Sequence, residues 1–470
     1  MKFPLKLLQC SIVFFLVLFA ACKKREDSMP VVTRPVKLSH EAVILSFGFM
    51  KSDNSPYLLD DFYGAISGDT IRFVLPAETD VSNLKPAIEF RGKTITAAAG
   101  VAQNFTTPVH YTVTAEDSSQ IIYTVIVKYR STLFISSDDG TMHALDGQTG
   151  AEIWSVSNGE FNGGVPVVYK GKVYDCGYDG LYALDARNGA EKWKFADNNT
   201  TSGDFPPSPV VMNDTVYISM HDGFLYALDA ENGDLFWKTR SQSGMGFSSN
   251  VTLNGDILYA GCSDSCLYAL NAHDGNIIWK LKTTGGISAN PLIANNNVFV
   301  TVDYNQYLLN GATGALLWKV PSNFQRSSPT FYNGIIYTGG GALSEGFDVN
   351  TGARVWEHYV STNVFERSSP LIWKGRFYAG SVDGNIYAFD LASNQQLWSF
   401  QTHGMGIYSS PVIANGVLYI GTPGQTIFAV DANTGTMIWA RGTGGSIFGS
   451  GCVSDENGIK YYPGISGEQN

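Results

Sequence analysis

Short apolar runs of five or six residues recur along the chain from about residue 131, broken by polar turns rich in Gly, Asn and Asp. One set reads "IYSSPVIANG" (407–416), "VLYIGT" (417–422), "TIFAVD" (426–431) and "GTMIWA" (435–440). No 3.6-residue period persists over a helical length, and β-branched and aromatic residues fill the runs. Each is therefore expected to be a strand, joined to the next by a turn of two to five residues.

The set repeats. The phrase "AVDANTGTMIW" (429–439) returns seven times upstream, from "ALDGQTGAEIW" (144–154) to "AFDLASNQQLW" (388–398). Its tryptophans are Trp154, Trp193, Trp237, Trp279, Trp318, Trp356, Trp398 and Trp439. Four antiparallel strands in each of eight such units predict an all-β protein, an eight-bladed β-propeller of four-stranded blades over 130–470. The phrase is the hairpin between a blade's third and fourth strands. Its third residue, Asp or Asn, is expected to accept the turn's backbone N–H groups. Its seventh, Gly in seven copies and Asn394 in the eighth, is expected at positive φ. Each tryptophan is expected to bury its ring against the neighbouring blade, facing the small residue at position one. Leu308 breaks that rule and predicts a shifted Trp318.

The first phrase follows a single strand, "TLFIS" (132–136), and "SIFGSGCVSDENG" (446–458) has no phrase after it. The C-terminal run is therefore expected to supply the first blade's inner strand, which removes exposed sheet edges. "IKYYPGI" (459–465) is then one strand too many, replacing or flanking the 132–136 strand.

The N-terminal part differs. Residues 1–21 combine a basic start, a short apolar run and "LFAAC", a secretion signal. Ala20 and Ala21 before Cys22 resemble a bacterial lipobox, which implies a lipidated Cys22, and Lys23 resembles outer-membrane sorting. A polar tether spans 22–40. Between 41 and 129, "HYTVTA" and "IIYTVIVKY" form a hairpin signal among other short strand candidates, and a small β-sandwich is expected. "FTTPVHYTVTAEDSSQIIYTVIV" resembles the Ig-like or cadherin-like modules of bacterial surface lipoproteins, which act mostly as spacers.

The formal net charge of −11 makes nucleic acid an unfavourable partner. "CSDSC" sets Cys262 and Cys266 on either side of a tight turn, with a cross-strand disulfide or two buried thiols as the alternatives. The seven histidines show no zinc-ligand spacing. "SSDDG" (136–140) reads as turn chemistry rather than a calcium site, so no metal is expected.

The phrase AxDxxTGxxxW resembles the docking motif of PQQ-like repeats. These build the propellers of quinoprotein dehydrogenases and of a lipoprotein of the outer-membrane barrel-assembly machinery. The dehydrogenases imply a quinone, a Ca²⁺, a tryptophan floor and commonly a disulfide between adjacent cysteines. Here eight of nine tryptophans serve docking, and no two cysteines are adjacent. The expectation is therefore a non-catalytic scaffold without cofactor, monomeric, anchored in the outer membrane, with its face unassigned, and binding another protein. A PQQ-dependent dehydrogenase and a cell-surface glycan binder are the alternatives.

A partner or ligand would meet the loops that enter each inner strand. There, aromatic and basic residues recur: Phe205, Phe247, Phe324, Arg326, Phe365, Arg367, His403, Tyr408 and Phe448. They form either a receptive rim or a cap over the core between blades.

Overall fold

The computed structural model describes residues 37–463, except 162–163, 178, 197–207, 221, 288, 323–326, 340–342, 360–367 and 405. Cys22, the leader and most of the tether lie outside the described residues, as do Phe205, Phe324, Arg326, Phe365 and Arg367. Among the described residues the chain is all-β apart from a single helical turn, Lys51–Asn54, and consists largely of repeated four-stranded antiparallel sheets. Six of these sheets stand alone, each with its strands paired in chain order. Two more units are joined into one larger sheet through a single pairing, Phe161 with Gly177.

In the last repeat the second and third strands are Val417–Thr422 and Thr426–Asp431, as read from sequence. The inner strand is only Val412–Ala414, and the outer one runs Met437–Gly442. The turn follows the expected chemistry: Asp431 Oδ1 accepts the N–H groups of Asn433 and Thr434, both at 2.9 Å.

The C-terminal run does supply an inner strand. Cys452–Ser454 pairs antiparallel with Thr132–Ser137, which continues through Gly140–Asp146 to Glu152–Phe161. The extra segment neither replaces nor flanks Thr132–Ser137. Lys460–Tyr461 instead pairs with Cys452–Ser454 on its other edge. The backbone reverses at Asp455, whose Oδ1 accepts the N–H groups of Asn457 and Ile459, and this sends the tail back along the inner strand.

The tryptophans dock between units; position one is the cross-strand partner of each, and the ring also meets the next unit's motif glycine. The indole N–H of Trp318 donates to Val349 O of the next unit at 2.9 Å, and its ring lies against Gly352. Gly352 has φ 70°, and a Cβ there would sit 2.8 Å from the indole. The motif glycine thus serves twice, turning the chain and leaving room for the neighbour's ring. Trp439 makes the same contacts with the first unit, donating to Gly147 O at 3.1 Å and stacking on Gly150.

The expected shift of Trp318 is therefore wrong. Leu308 is its cross-strand partner and is itself buried, and Trp318 docks like the others. The junction that differs is that of Trp356. Its floor is Asn394, at φ 57°, and the indole N–H is buried without a hydrogen-bond partner. Asn394 instead donates to Glu357 O at 2.7 Å, and its Oδ1 lies 2.8 Å from His358 Nδ1.

The N-terminal module has two sheets around one aromatic core. Val43–Phe49 is flanked by Phe62–Tyr63 and Pro86–Arg91. The other sheet orders Ala65–Ser67, Thr70–Leu75, Gln120–Tyr129, Val109–Thr114 and Thr94–Ile95, its second and third strands running parallel. The predicted hairpin is the antiparallel pair Val109–Thr114 and Gln120–Tyr129. Between the sheets Phe47, Phe49, Phe73, Phe105 and Tyr111 pack edge to face or tilted, with Phe49 and Phe73 centroids 4.5 Å apart. Burying five such rings supplies most of the apolar area this small module needs.

This module is docked onto the repeats. Glu78, in the loop after Thr70–Leu75, accepts from Ser454 Oγ at 2.9 Å and pairs with Lys460 at 3.0 Å. Arg187, in the second unit's turn, donates to Tyr57 O at 2.6 Å while pairing with Asp185 at 2.7 Å. Burial alone would raise Asp185, but the hydrogen bonds from Arg187 and Lys192 hold its carboxyl at about 2.

Candidate functional site: an axial cavity with a polar belt

The short inner strands begin with a recurring pair, most clearly "SSP" at 327–329, 368–370 and 409–411. Each member of the pair has a separate task. The first serine binds its own unit: Ser368 Oγ accepts Gly380 N–H at 2.9 Å, and Ser409 Oγ accepts Gly421 N–H at 3.1 Å. The second reaches sideways to the preceding unit. Val165 N–H donates to Ser208 Oγ (2.9 Å), Ser208 N–H to Asn250 Oδ1 (2.8 Å) and Asn250 N–H to Asn290 Oδ1 (3.0 Å). The series continues from Asn290 N–H to Ser328 Oγ (3.3 Å) and from Ser328 N–H to Ser369 Oγ (2.9 Å). It runs on from Ser369 N–H to Ser410 Oγ (2.9 Å) and from Ser410 N–H to Ser450 Oγ (2.7 Å).

These residues form a belt of seven links, in each of which one unit's backbone N–H is satisfied by its neighbour's side chain. Val165 stands at the eighth place and offers no acceptor, so the belt has one missing link, after Ser450.

All eight belt residues line one cavity of about 770 Å³. Its walls are the inner strands, chiefly Val210, Val251, Leu253, Leu292 and Ile293. At one end stand Glu78, Lys460 and Tyr462. The tail is held there by Tyr462, whose hydroxyl donates to Val168 O (3.0 Å) and accepts from Val168 N–H (3.2 Å). An apolar cavity of this size with a few convergent polar groups has the character of a small-molecule or side-chain site.

The rim residues divide. Phe247 is packed in the core, 5.6 Å from the Tyr268 ring, so it caps the space between units rather than lining a lip. Ile287, Ile407 and Ile447 hold the equivalent place and lie over Gly261, Gly380 and Gly421 of the preceding unit. One residue further along, Tyr408 and Phe448 are half-buried, with ring centroids 6.1 Å apart. Arg326 and Arg367 occupy that same place in sequence, two residues ahead of Ser328 and Ser369. His403 is exposed, at φ 55°.

Cys262 and Cys266 are free thiols directly opposite each other in register, not a disulfide. Burial pushes the Cys262 thiol up to about 11 and raises Cys266, which keeps both protonated. A Ser–His–carboxylate run exists, with Ser137 Oγ 3.2 Å from His143 Nε2 and His143 Nδ1 3.9 Å from Glu152. Ser137 is fully buried and its hydroxyl also contacts Asp139 (2.6 Å) and Thr141 O (3.2 Å), so it braces the 138–140 turn. No group of three or more His, Cys, Asp or Glu among the described residues is placed to hold a metal ion. No helix among them is long and apolar enough to cross a membrane.

A second buried carboxylate is unusual. Asp175 is fully buried; its Oδ1 accepts Cys176 N–H at 3.0 Å, while its Oδ2 and the neighbouring Ser136 hydroxyl lack a well-formed hydrogen bond. Desolvation lifts its carboxyl to about 7.

The belt was the part of the site that sequence reasoning missed. Its signal is a Ser or Asn at the equivalent place before seven of the eight inner strands, preceded by a second Ser at Ser249, Ser327, Ser368 and Ser409.

Comparison with known proteins places this geometry. The family model described as "Outer membrane protein assembly factor BamB" matches residues 124–244 and 221–441, together well over half the chain. A second model, "SGBP, N-terminal", a glycan-binding module, matches 60–127. That match replaces the specific Ig-like or cadherin-like expectation for the N-terminal part. A tetrathionate hydrolase from Acidithiobacillus ferrooxidans is 26% identical over 56% of this chain and 64% of its own length. The chain thus spans less than two thirds of that relative. BamB from Moraxella catarrhalis superposes with a TM-score of 0.50 at 16% identity, covering 64% of this chain and 88% of that one. A quinohemoprotein alcohol dehydrogenase from Pseudomonas putida HK5 superposes at 0.53 with 14% identity, covering 63% and 70%. The two superpositions speak for the fold alone.

Proposed function

Because the chain belongs to the family described as outer membrane protein assembly factor BamB, we propose that it is a non-catalytic scaffold that captures another protein. In this reading residues 130–470 close into an eight-bladed propeller, with Trp439 on Gly147 and Gly150 as the closing contact. Residues 1–21 are removed, and Cys22 carries the lipid that holds the protein on the outer membrane through the 22–40 tether. Acyl chains contribute roughly 0.8 kcal/mol per buried methylene, so a multiply acylated cysteine anchors stably.

The observation that supports partner capture is the Tyr408–Phe448 pair, half-buried beside the belt. Aromatic and arginine residues are the composition of an interface hot spot, and Arg326 and Arg367 hold the same place in the repeat's sequence as Tyr408 and Phe448. A photo-crosslinking residue at position 408 or 448 should give one discrete adduct in outer-membrane fractions, lost when Arg326 and Arg367 are changed to Ala. Replacing Cys22 by Ser should release the protein from the membrane. Dye reduction after loading with PQQ and Ca²⁺ would overturn the scaffold reading in favour of a dehydrogenase.

A second reading rests on the glycan-binding module matched at 60–127. Tyr63 there is 68% exposed, a ring on which a sugar could stack. Retardation in gels containing soluble polysaccharides, lost in Tyr63→Ala, would support glycan capture. Equal migration of both proteins in every gel would dismiss it.

A further inference from the structure

The belt has a chemical consequence beyond holding the units together. Each belt oxygen accepts an N–H from the preceding unit, so one of its two acceptor sites is spent on the scaffold. A serine hydroxyl also carries one donor, and an asparagine amide carries two. None of the belt residues donates a side-chain hydrogen bond to any described residue, yet all of them line the cavity, and Ser208, Ser369, Ser410 and Ser450 are less than a tenth exposed. The axial cavity is therefore encircled by unspent donors above an apolar wall. Its other end is bounded by a carboxylate already neutralised, Glu78, paired to Lys460 at 3.0 Å.

We propose that this cavity is a binding site for a small amphiphilic carboxylate, its head group on the donor belt and its apolar body along Val210, Val251, Leu253 and Ile293. Several neutral N–H and O–H donors facing one cavity favour an acceptor-only group, and a carboxylate presents two oxygens with about four lone-pair sites. Hydrogen bonds to an ionised acceptor are roughly twice as strong as those between neutral groups. An ammonium head would find neutral acceptors only, since Glu78 is already paired with Lys460. An alcohol would bond the belt through neutral pairs alone, without the gain of an ionised acceptor. The site lies within the bore and is independent of partner capture at the rim.

The test uses the full-length protein and straight-chain carboxylates of eight to twelve carbons, titrated calorimetrically. Saturable one-to-one binding is expected, with alcohols and amines of equal length binding at least tenfold more weakly. The informative variants are Asn250→Asp and Asn290→Asp. Each keeps the oxygen that accepts the neighbour's N–H, at 2.8 and 3.0 Å, while exchanging the amide donors for a negative charge. Each should retain the parent's thermal midpoint and lose at least tenfold in carboxylate affinity. Unchanged affinity in both variants, equal binding of the alcohol, or no saturable binding at any chain length would overturn the proposal.

Discussion

Two neighbouring junctions show what makes these repeats fit. At the Trp318 junction the floor is Gly352, the indole N–H finds Val349 O at 2.9 Å, and the ring packs with nothing between. At the Trp356 junction the floor is Asn394, and the same N–H is buried and unpaired. The backbone is nearly identical, φ 70° at Gly352 and 57° at Asn394. Only the side chain differs. A Cβ at the floor position intrudes on the ring, and the Asn amide then bonds Glu357 O and His358 rather than serving the tryptophan. Trp356 compensates by stacking on Phe377, centroids 5.5 Å apart. A substitution that satisfies the turn therefore fails the neighbour, because one glycine serves both.

The largest effect should come from removing a well-docked ring. Trp439→Ala at the contact with the first unit should cost about 3–5 kcal/mol, read as a lower urea midpoint, whereas Trp356→Ala should cost roughly half as much. Equal losses would erase the distinction between junctions. Asp175 provides a misfit of charge rather than shape. Its folded carboxyl is raised to about 7, so the folded state holds a proton that the unfolded chain releases near 3.8. Stability therefore falls as pH rises from about 4 to 7 and is flat above. Asp175→Asn should add about 2–4 kcal/mol at pH 8 and almost nothing at pH 4. A gain independent of pH, seen in thermal midpoints across that range, would contradict it. Gly352→Ala should then reproduce the Asn394 defect at a good junction, costing about 2–3 kcal/mol from positive φ and overpacking. The smallest effect is the repair: Asn394→Gly should stabilise by about 1 kcal/mol, by giving Trp356 back its hydrogen bond. Loss of stability in that variant would mean that the Asn394–His358 contact matters more than the indole.

Much of this was legible in the chain. The phrase period gave the strands of every repeat, and the unpaired run near 446–458 announced the Cys452–Ser454 pairing with Thr132–Ser137. The candidate site was legible only at its lip. Tyr408 and Phe448 were found as recurring aromatics, but Phe247 looked the same in sequence and is core. The difference is a single residue of register: one position lies over the preceding unit's glycine, the next faces outward. The belt escaped because serine before proline reads as ordinary loop composition.

The sequence alone determined everything that depends on neighbours along the chain. That covers which runs extend, where each turn needs positive φ, and which Asp or Asn accepts its backbone, since hairpin physics is settled within about ten residues. The tertiary structure alone decided whatever depends on the neighbouring unit some forty residues away. There the tryptophan ring rests on the next turn's glycine, and serines become a belt around a common cavity. The Glu78 loop also reaches the end of that cavity from a separate module. Those contacts join residues far apart in the chain, and local patterning carries no record of the distances between them.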